Sequence, residues 1–130
     1  MFEILNLKFK CKFFLAGGPD DEDLIKKVMN SSIGKNCISF AAMDIAETIP
    51  IIATCKYCIS NDTGFGHISA GLGLQSLMLF IDSLPTAYGL YTKNISILVP
   101  GGETIETTTH DTLGTISVDE VLKNALELMN

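Results

Sequence analysis

The segment Asn61-Asp62-Thr63-Gly64-Phe65-Gly66-His67 gathers the groups of this chain best suited to chemistry. Gly64 and Gly66 carry no side chain, so a ligand can approach the backbone closely there. With a helix starting in this segment, the amide hydrogens of Gly64, Phe65 and Gly66 have no acceptor one turn earlier and point outward. Unpaired amides and the helix dipole together make an anion site. The sequence contains no arginine, so backbone amides are the obvious device for holding a diphosphate. Asp62 cannot itself attract phosphate. It is suited to fixing the loop by accepting amide hydrogen bonds, or to meeting a sugar or ribose hydroxyl. His67 can hydrogen-bond the loop, touch phosphate, or do neither. On spacing alone a plainer alternative stays open, in which Asp62 or Thr63 only caps a strand-to-helix turn, because a lone Gly-x-Gly is a weak signature.

The other chemically capable residues are less concentrated. His110 sits in the polar run Thr107 to Thr112 and reads as solvated. Two histidines far apart in sequence indicate neither a catalytic nor a metal pair. Cys55-Lys56-Tyr57-Cys58 spells C-x-x-C, which elsewhere marks zinc or redox chemistry. A structural zinc site needs two further ligands at suitable spacing, and no second such pair follows. Here the cysteines also serve as small hydrophobes where a helix runs into a buried strand. No metal and no cofactor is expected.

These residues need a scaffold, and the apolar pattern supplies one. Short apolar runs at Phe13 to Ala16, Cys37 to Phe40, Tyr57 to Ser60, Ser76 to Ile81 and Ile95 to Val99 read as buried strands. Between them lie helices: from the acidic run Asp20 to Asp23 through Met29, from Asp44 to Thr54, and from His67 to Leu72. Asp20 with Asp23 resembles a helix cap, and acids there suit the dipole. Ile45, Ile49, Ile52 and Ala53 give a helical apolar face, with Pro50 predicting a kink. Residues 82–94 read as a loop or short helix, and residues 100–115, rich in Thr and Gly, as a long surface loop. Ser117 and Glu120 make a capping box for a last helix with Val118, Val121, Leu122, Ala125 and Leu128 on one face. Alternating strands and helices imply an α/β fold, a mostly parallel sheet covered on both faces. In such sheets ligands bind beyond the carboxyl ends of the strands, where residues 61–67 lie.

Composition bounds the rest. The 130 residues fit one domain, and 47% hydrophobic content suits a globular protein. Fifteen acidic residues against nine lysines leave a net charge of −6, which argues against a nucleic-acid partner. Lys8, Lys10 and Lys12 share a face if their segment is extended, and read as a solvated strand face. The longest apolar candidate, Thr48 to Ile59, is interrupted by Pro50 and Lys56 and is too short to span a bilayer. Charges near the N-terminus leave no signal-peptide core. A cytoplasmic location is expected.

From Tyr57 to Ala70 the sequence resembles the signature of glycosyltransferase family nine, the ADP-heptose:lipopolysaccharide heptosyltransferases. That pattern is a hydrophobic strand, then S-x-D-T-G-x-x-H and a small-residue helix. Phe14 to Asp20 resembles the family's strand ending in Gly-Gly-Pro, Met43 to Lys56 its next helix, Ser76 to Phe80 the strand after the motif, and Ile116 to Leu128 its closing helix. The resemblance implies a Rossmann-like donor-binding domain, the C-terminal half of a GT-B glycosyltransferase. By it, Asp62, Thr63, Gly64, Phe65, Gly66 and His67 hold the donor's diphosphate and sugar. Asp21 falls near the ribose, and Met43 falls where a side chain packs on adenine.

The resemblance also implies what this chain lacks. Residues 1–130 correspond to an incomplete donor domain, without the acceptor domain that carries the family's general base, so no catalytic residue is expected here. The domain is expected to be N-terminally truncated, beginning in the helix after its first strand. In the order 3-2-1-4-5-6 that strand is central, and its loss leaves a gap. The implied function is donor binding for transfer of a heptose or related sugar from a nucleotide diphosphate, an ADP-sugar, to a lipopolysaccharide-type acceptor. That acceptor would be met only with an acceptor domain, at the inner face of the membrane, and the isolated chain is expected to be inactive. The alternative is a non-catalytic split subunit or remnant acting through a complementing partner chain or a homo-oligomer.

Overall fold

The computed structural model describes residues 1–41 and 43–130. The chain divides into two compact units, residues 1–49 and 50–130.

The first unit opens with α1, Phe2–Phe9, closed by Lys10 in the left-handed conformation. The extended segment expected around Lys8, Lys10 and Lys12 is therefore corrected: Lys8 is helical, and Lys10 ends the helix at φ 52°. Leu5 is the buried anchor of α1. Strand β1, Phe13–Leu15, pairs in parallel with β2, Cys37–Ser39, and Phe13 faces Cys37 in the register. Phe14 stacks on Phe40 with ring centroids 5.1 Å apart, a packing that carries stabilisation beyond the area it buries.

Between the strands, a 3₁₀ turn at Pro19–Asp21 leads into α2, Glu22–Met29. The carboxylate that caps this entry is Asp21, which accepts from the Gly18 amide at 2.9 Å, rather than Asp20 or Asp23. Acids in the first turn of α2 and Lys26 and Lys27 in its last turn follow the helix dipole. A second 3₁₀ turn, Gly34–Asn36, feeds β2. A Cβ on Gly34 would lie 1.8 Å from the Met29 carbonyl oxygen, so only glycine fits that crossing.

Helix α3, Ile45–Ile52, holds Pro50 without being ended by it. Its period agrees with the sequence pattern, but its phase does not. Ile45 and Ile49 are exposed, while Thr48 and Ile52 are buried. Burial of Thr48 costs little because its hydroxyl donates to the Ile45 carbonyl at 2.7 Å.

The second unit is built on a three-stranded parallel sheet in the order β3-β4-β5, with β3 at Tyr57–Asn61, β4 at Gln75–Leu79 and β5 at Ile95–Leu98. Every ladder in both sheets is parallel. β1 and β2 form a separate two-stranded sheet in the first unit. The central strand β4 supplies the core, with Leu77, Met78 and the adjoining Phe80 at most 1% exposed.

Helix α4, Gly64–Gly71, packs on β3 and β4 through Gly66, Ser69 and Ala70, all buried. It begins three residues earlier than the sequence pattern indicates. Helix α5 is a single turn, Pro85–Tyr88, and α6 runs Val118–Met129. The capping box of α6 is present, with the Ser117 hydroxyl accepting from the Glu120 amide and the Glu120 carboxylate accepting from the Ser117 amide. Val121 and Ala125 are buried beneath α6, whereas Val118 is exposed. Residues 100–115 form no helix or strand, yet Thr108 is buried with its hydroxyl on the Thr104 carbonyl. No helix is long and apolar enough to cross a membrane among the described residues.

Candidate functional site

Strand β3 delivers Asp62 and Thr63 to the carboxyl edge of the second unit's sheet, and α4 starts at Gly64. The Asp62 amide donates to the Leu79 carbonyl at 3.1 Å, extending the β3–β4 ladder into the turn. Thr63 occupies the N-cap position with extended backbone, yet its side chain makes no capping bond. Its hydroxyl lies 3.0 Å from Ser60 Oγ. Ser60 donates its own hydrogen to the Asn61 carbonyl at 2.7 Å, so Thr63 is the donor of that pair.

Asp62 does not cap the helix either. Its Oδ1 is 2.8 Å from His67 Nε2. The expectation that Asp62 fixes the loop by accepting amide hydrogen bonds is therefore corrected: the loop is fixed by a carboxylate–imidazole contact. The physical reason is reach, because the first turn of α4 brings His67 back beside the N-cap Thr63, next to Asp62. A carboxylate only accepts, so Nε2 carries the proton.

With both capping candidates engaged elsewhere, the amides of Gly64, Phe65 and Gly66 have no hydrogen-bond acceptor among the described residues; the first amide of the turn to find one is His67, on the Thr63 carbonyl. Three adjacent unpaired amides at a helix start make an anion site.

The two glycines have different roles. A Cβ on Gly64 would meet nothing within 4 Å, so its face is open. A Cβ on Gly66 would come within 3.0 Å of Ser60 Oγ and 3.1 Å of Met78 Cε. Gly66 therefore also serves the close packing of α4 on the sheet, a role the sequence reading did not include. Phe65 is half-buried, and its carbonyl accepts from Ser69 at 2.8 Å.

Tyr91 is the residue that sequence reasoning missed. Its hydroxyl is 2.8 Å from His67 Nδ1, and its ring lies 5.6 Å from the imidazole, centroid to centroid. Desolvation, and then the negative charge of Asp62, push the Tyr91 hydroxyl above the ordinary tyrosine range, which keeps it a donor. His110 is exposed as expected, but its Nδ1 is anchored 2.8 Å from the Asp82 carbonyl.

Asp21 and Met43 belong to the first unit, where they follow the carboxyl ends of β1 and β2. Asp21 commits one carboxylate oxygen to the Gly18 amide, and the Met43 amide donates to the Phe40 carbonyl. All four cysteines are free thiols, and burial pushes Cys58 upward in pKa. No group of three metal-ligating side chains is assembled among the described residues.

The sequence of the chain matches the family model of glycosyltransferase family 9 (heptosyltransferase) over residues 2–115. This chain belongs to that family. No curated protein and no solved structure matches it. The match to glycosyltransferase family 9 covers the whole Asn61 to His67 loop and Tyr91, and it ends before α6.

Proposed function

We propose that residues 62–67 hold the diphosphate of a nucleotide-sugar donor, and that the chain is the donor-binding part of a glycosyltransferase. The observation that carries this reading is the trio of unpaired amides at Gly64, Phe65 and Gly66, left open because Asp62 and Thr63 turn their side chains to His67 and Ser60. An arginine-free chain of charge −6 has few other means of meeting two phosphates. In sugar transfer the diphosphate leaves with the negative charge, so donors aimed at it favour the transition state as well as binding.

The donor is an ADP-sugar carrying a heptose or a related sugar, and the acceptor is a lipopolysaccharide-type hydroxyl presented at the inner face of the membrane. The base that deprotonates this hydroxyl belongs to an acceptor domain. Calorimetry of the full chain with ADP tests this reading. The expected result is saturable binding that needs no divalent cation and is lost on adding excess pyrophosphate. A folded chain that does not bind ADP overturns the reading.

A further inference from the structure

Tyr91 lies in the crossover between α5 and β5, 24 residues beyond His67, yet it meets the free nitrogen of that imidazole. We propose that Tyr91 is a positioning residue of this site, which holds His67 on Asp62 and thereby keeps the Asp62 carboxylate off the amides of Gly64, Phe65 and Gly66. This rests on the diphosphate reading and deepens it.

The argument starts from Asp62. It immediately precedes the N-cap, and acidic side chains at such positions readily accept amide hydrogen bonds two or three residues on. A carboxylate turned onto those amides would carry the same charge as the ligand and compete with it. What holds Asp62 away is its contact with Nε2 of His67. That ring is one-third exposed, and a single hydrogen bond leaves it free to rotate. Tyr91 supplies a second hydrogen bond and a flanking ring face.

The proton inventory is consistent with this arrangement. Nε2–H donates to Asp62, and in the neutral ring Nδ1 accepts from the Tyr91 hydroxyl. Without that hydroxyl, Nδ1 has no protein donor. The ring can then take the other tautomer or turn to water, and Asp62 is released toward the amides. Tyr91 is itself more than half exposed, so its replacement leaves the core intact.

Tyr91→Phe keeps the ring and removes only the hydroxyl. In the ligand-free chain, nitrogen-15 spectra of His67 should gain the Nδ1–H tautomer, and the amide protons of Gly64 and Phe65 should move downfield as Asp62 caps them. ADP affinity should fall about tenfold, the scale of one lost hydrogen bond. In an Asp62→Ala background the competitor is gone, and Tyr91→Phe should then change ADP affinity less than about twofold. Unchanged His67 and amide signals overturn the proposal, and so does a full tenfold loss in the Asp62→Ala background, which would mean that Tyr91 touches the ligand directly. A wild-type chain that fails to bind ADP counts against the diphosphate reading alone, and the ligand-free spectra still decide the role of Tyr91.

Discussion

The two glycines of the site allow packing and ligand access to be separated by single methyl groups. At Gly66 a new Cβ would sit 3.0 Å from Ser60 Oγ and 3.1 Å from both Ser60 Cβ and Met78 Cε. Met78 is fully buried, so its terminal methyl must shift within the packed core to make room. Overpacking of this kind costs about 1–3 kcal/mol, offset by about 0.5–1 kcal/mol because alanine is the better helix former. Gly66→Ala should therefore lose on the order of 1 kcal/mol, about 4 °C in Tm for a chain of this size. At Gly64 the methyl meets nothing. Gly64→Ala should hold or raise stability, by up to about 1 kcal/mol, through the less flexible unfolded chain. Its methyl would project into the open face that the diphosphate occupies, and ADP affinity should fall at least about tenfold. Thermal melts followed by circular dichroism, paired with ADP calorimetry on both variants, make the comparison. A Gly64→Ala variant that binds ADP like the wild type refutes the assignment of that face, and a Gly66→Ala variant with unchanged Tm refutes the packing argument.

Gly34→Ala would drive a methyl into the Met29 carbonyl, a backbone atom that cannot yield without moving α2. A loss of about 3–5 kcal/mol is expected, read as a shift in the urea midpoint. The capping box of α6 makes a pH prediction. Hydrogen bonds from the Ser117 hydroxyl and amide hold the Glu120 carboxyl below its ordinary value of 4.5. A depressed folded pKa contributes stability above the unfolded value, and that contribution is lost as pH falls below 4.5 through the folded value. Glu120→Gln should flatten this portion of the acid melting profile, while Ser117→Ala should cost about 1 kcal/mol at neutral pH.

The five strands and their parallel order are legible in the sequence because each is a short apolar run closed by turn residues. Helix α4 is harder to delimit. Glycine is a poor helix former, so Gly64 and Gly66 read as loop, whereas in the structure the contact of Gly66 with Ser60 and Met78 makes glycine the residue that fits. The phase of α3 is misread because isoleucine outranks threonine on any hydropathy scale. The hydrogen bond that lets Thr48 be buried is invisible to such scales. Asp62 and His67 are recognisable as candidates, but not as partners, since a cap and a side-chain pair leave the same residue types at the same spacing. Tyr91 has no local signal at all. Its partner is 24 residues away, and its only hint is a polar-tipped aromatic in the crossover that follows β4.

The register of the second sheet has a kinetic consequence. Tyr57 pairs with Gln75 and Ser76 with Ile95, so both ladders close loops of nearly equal length, roughly 18 residues. Neither ladder enjoys an entropic head start, and both need β4 in place. The transition state for folding this unit is thus expected to be centred on Leu77 and Met78, where truncation should slow folding more than it speeds unfolding. The strand that supports the amide turn from below would then also set the rate at which that turn first comes into being.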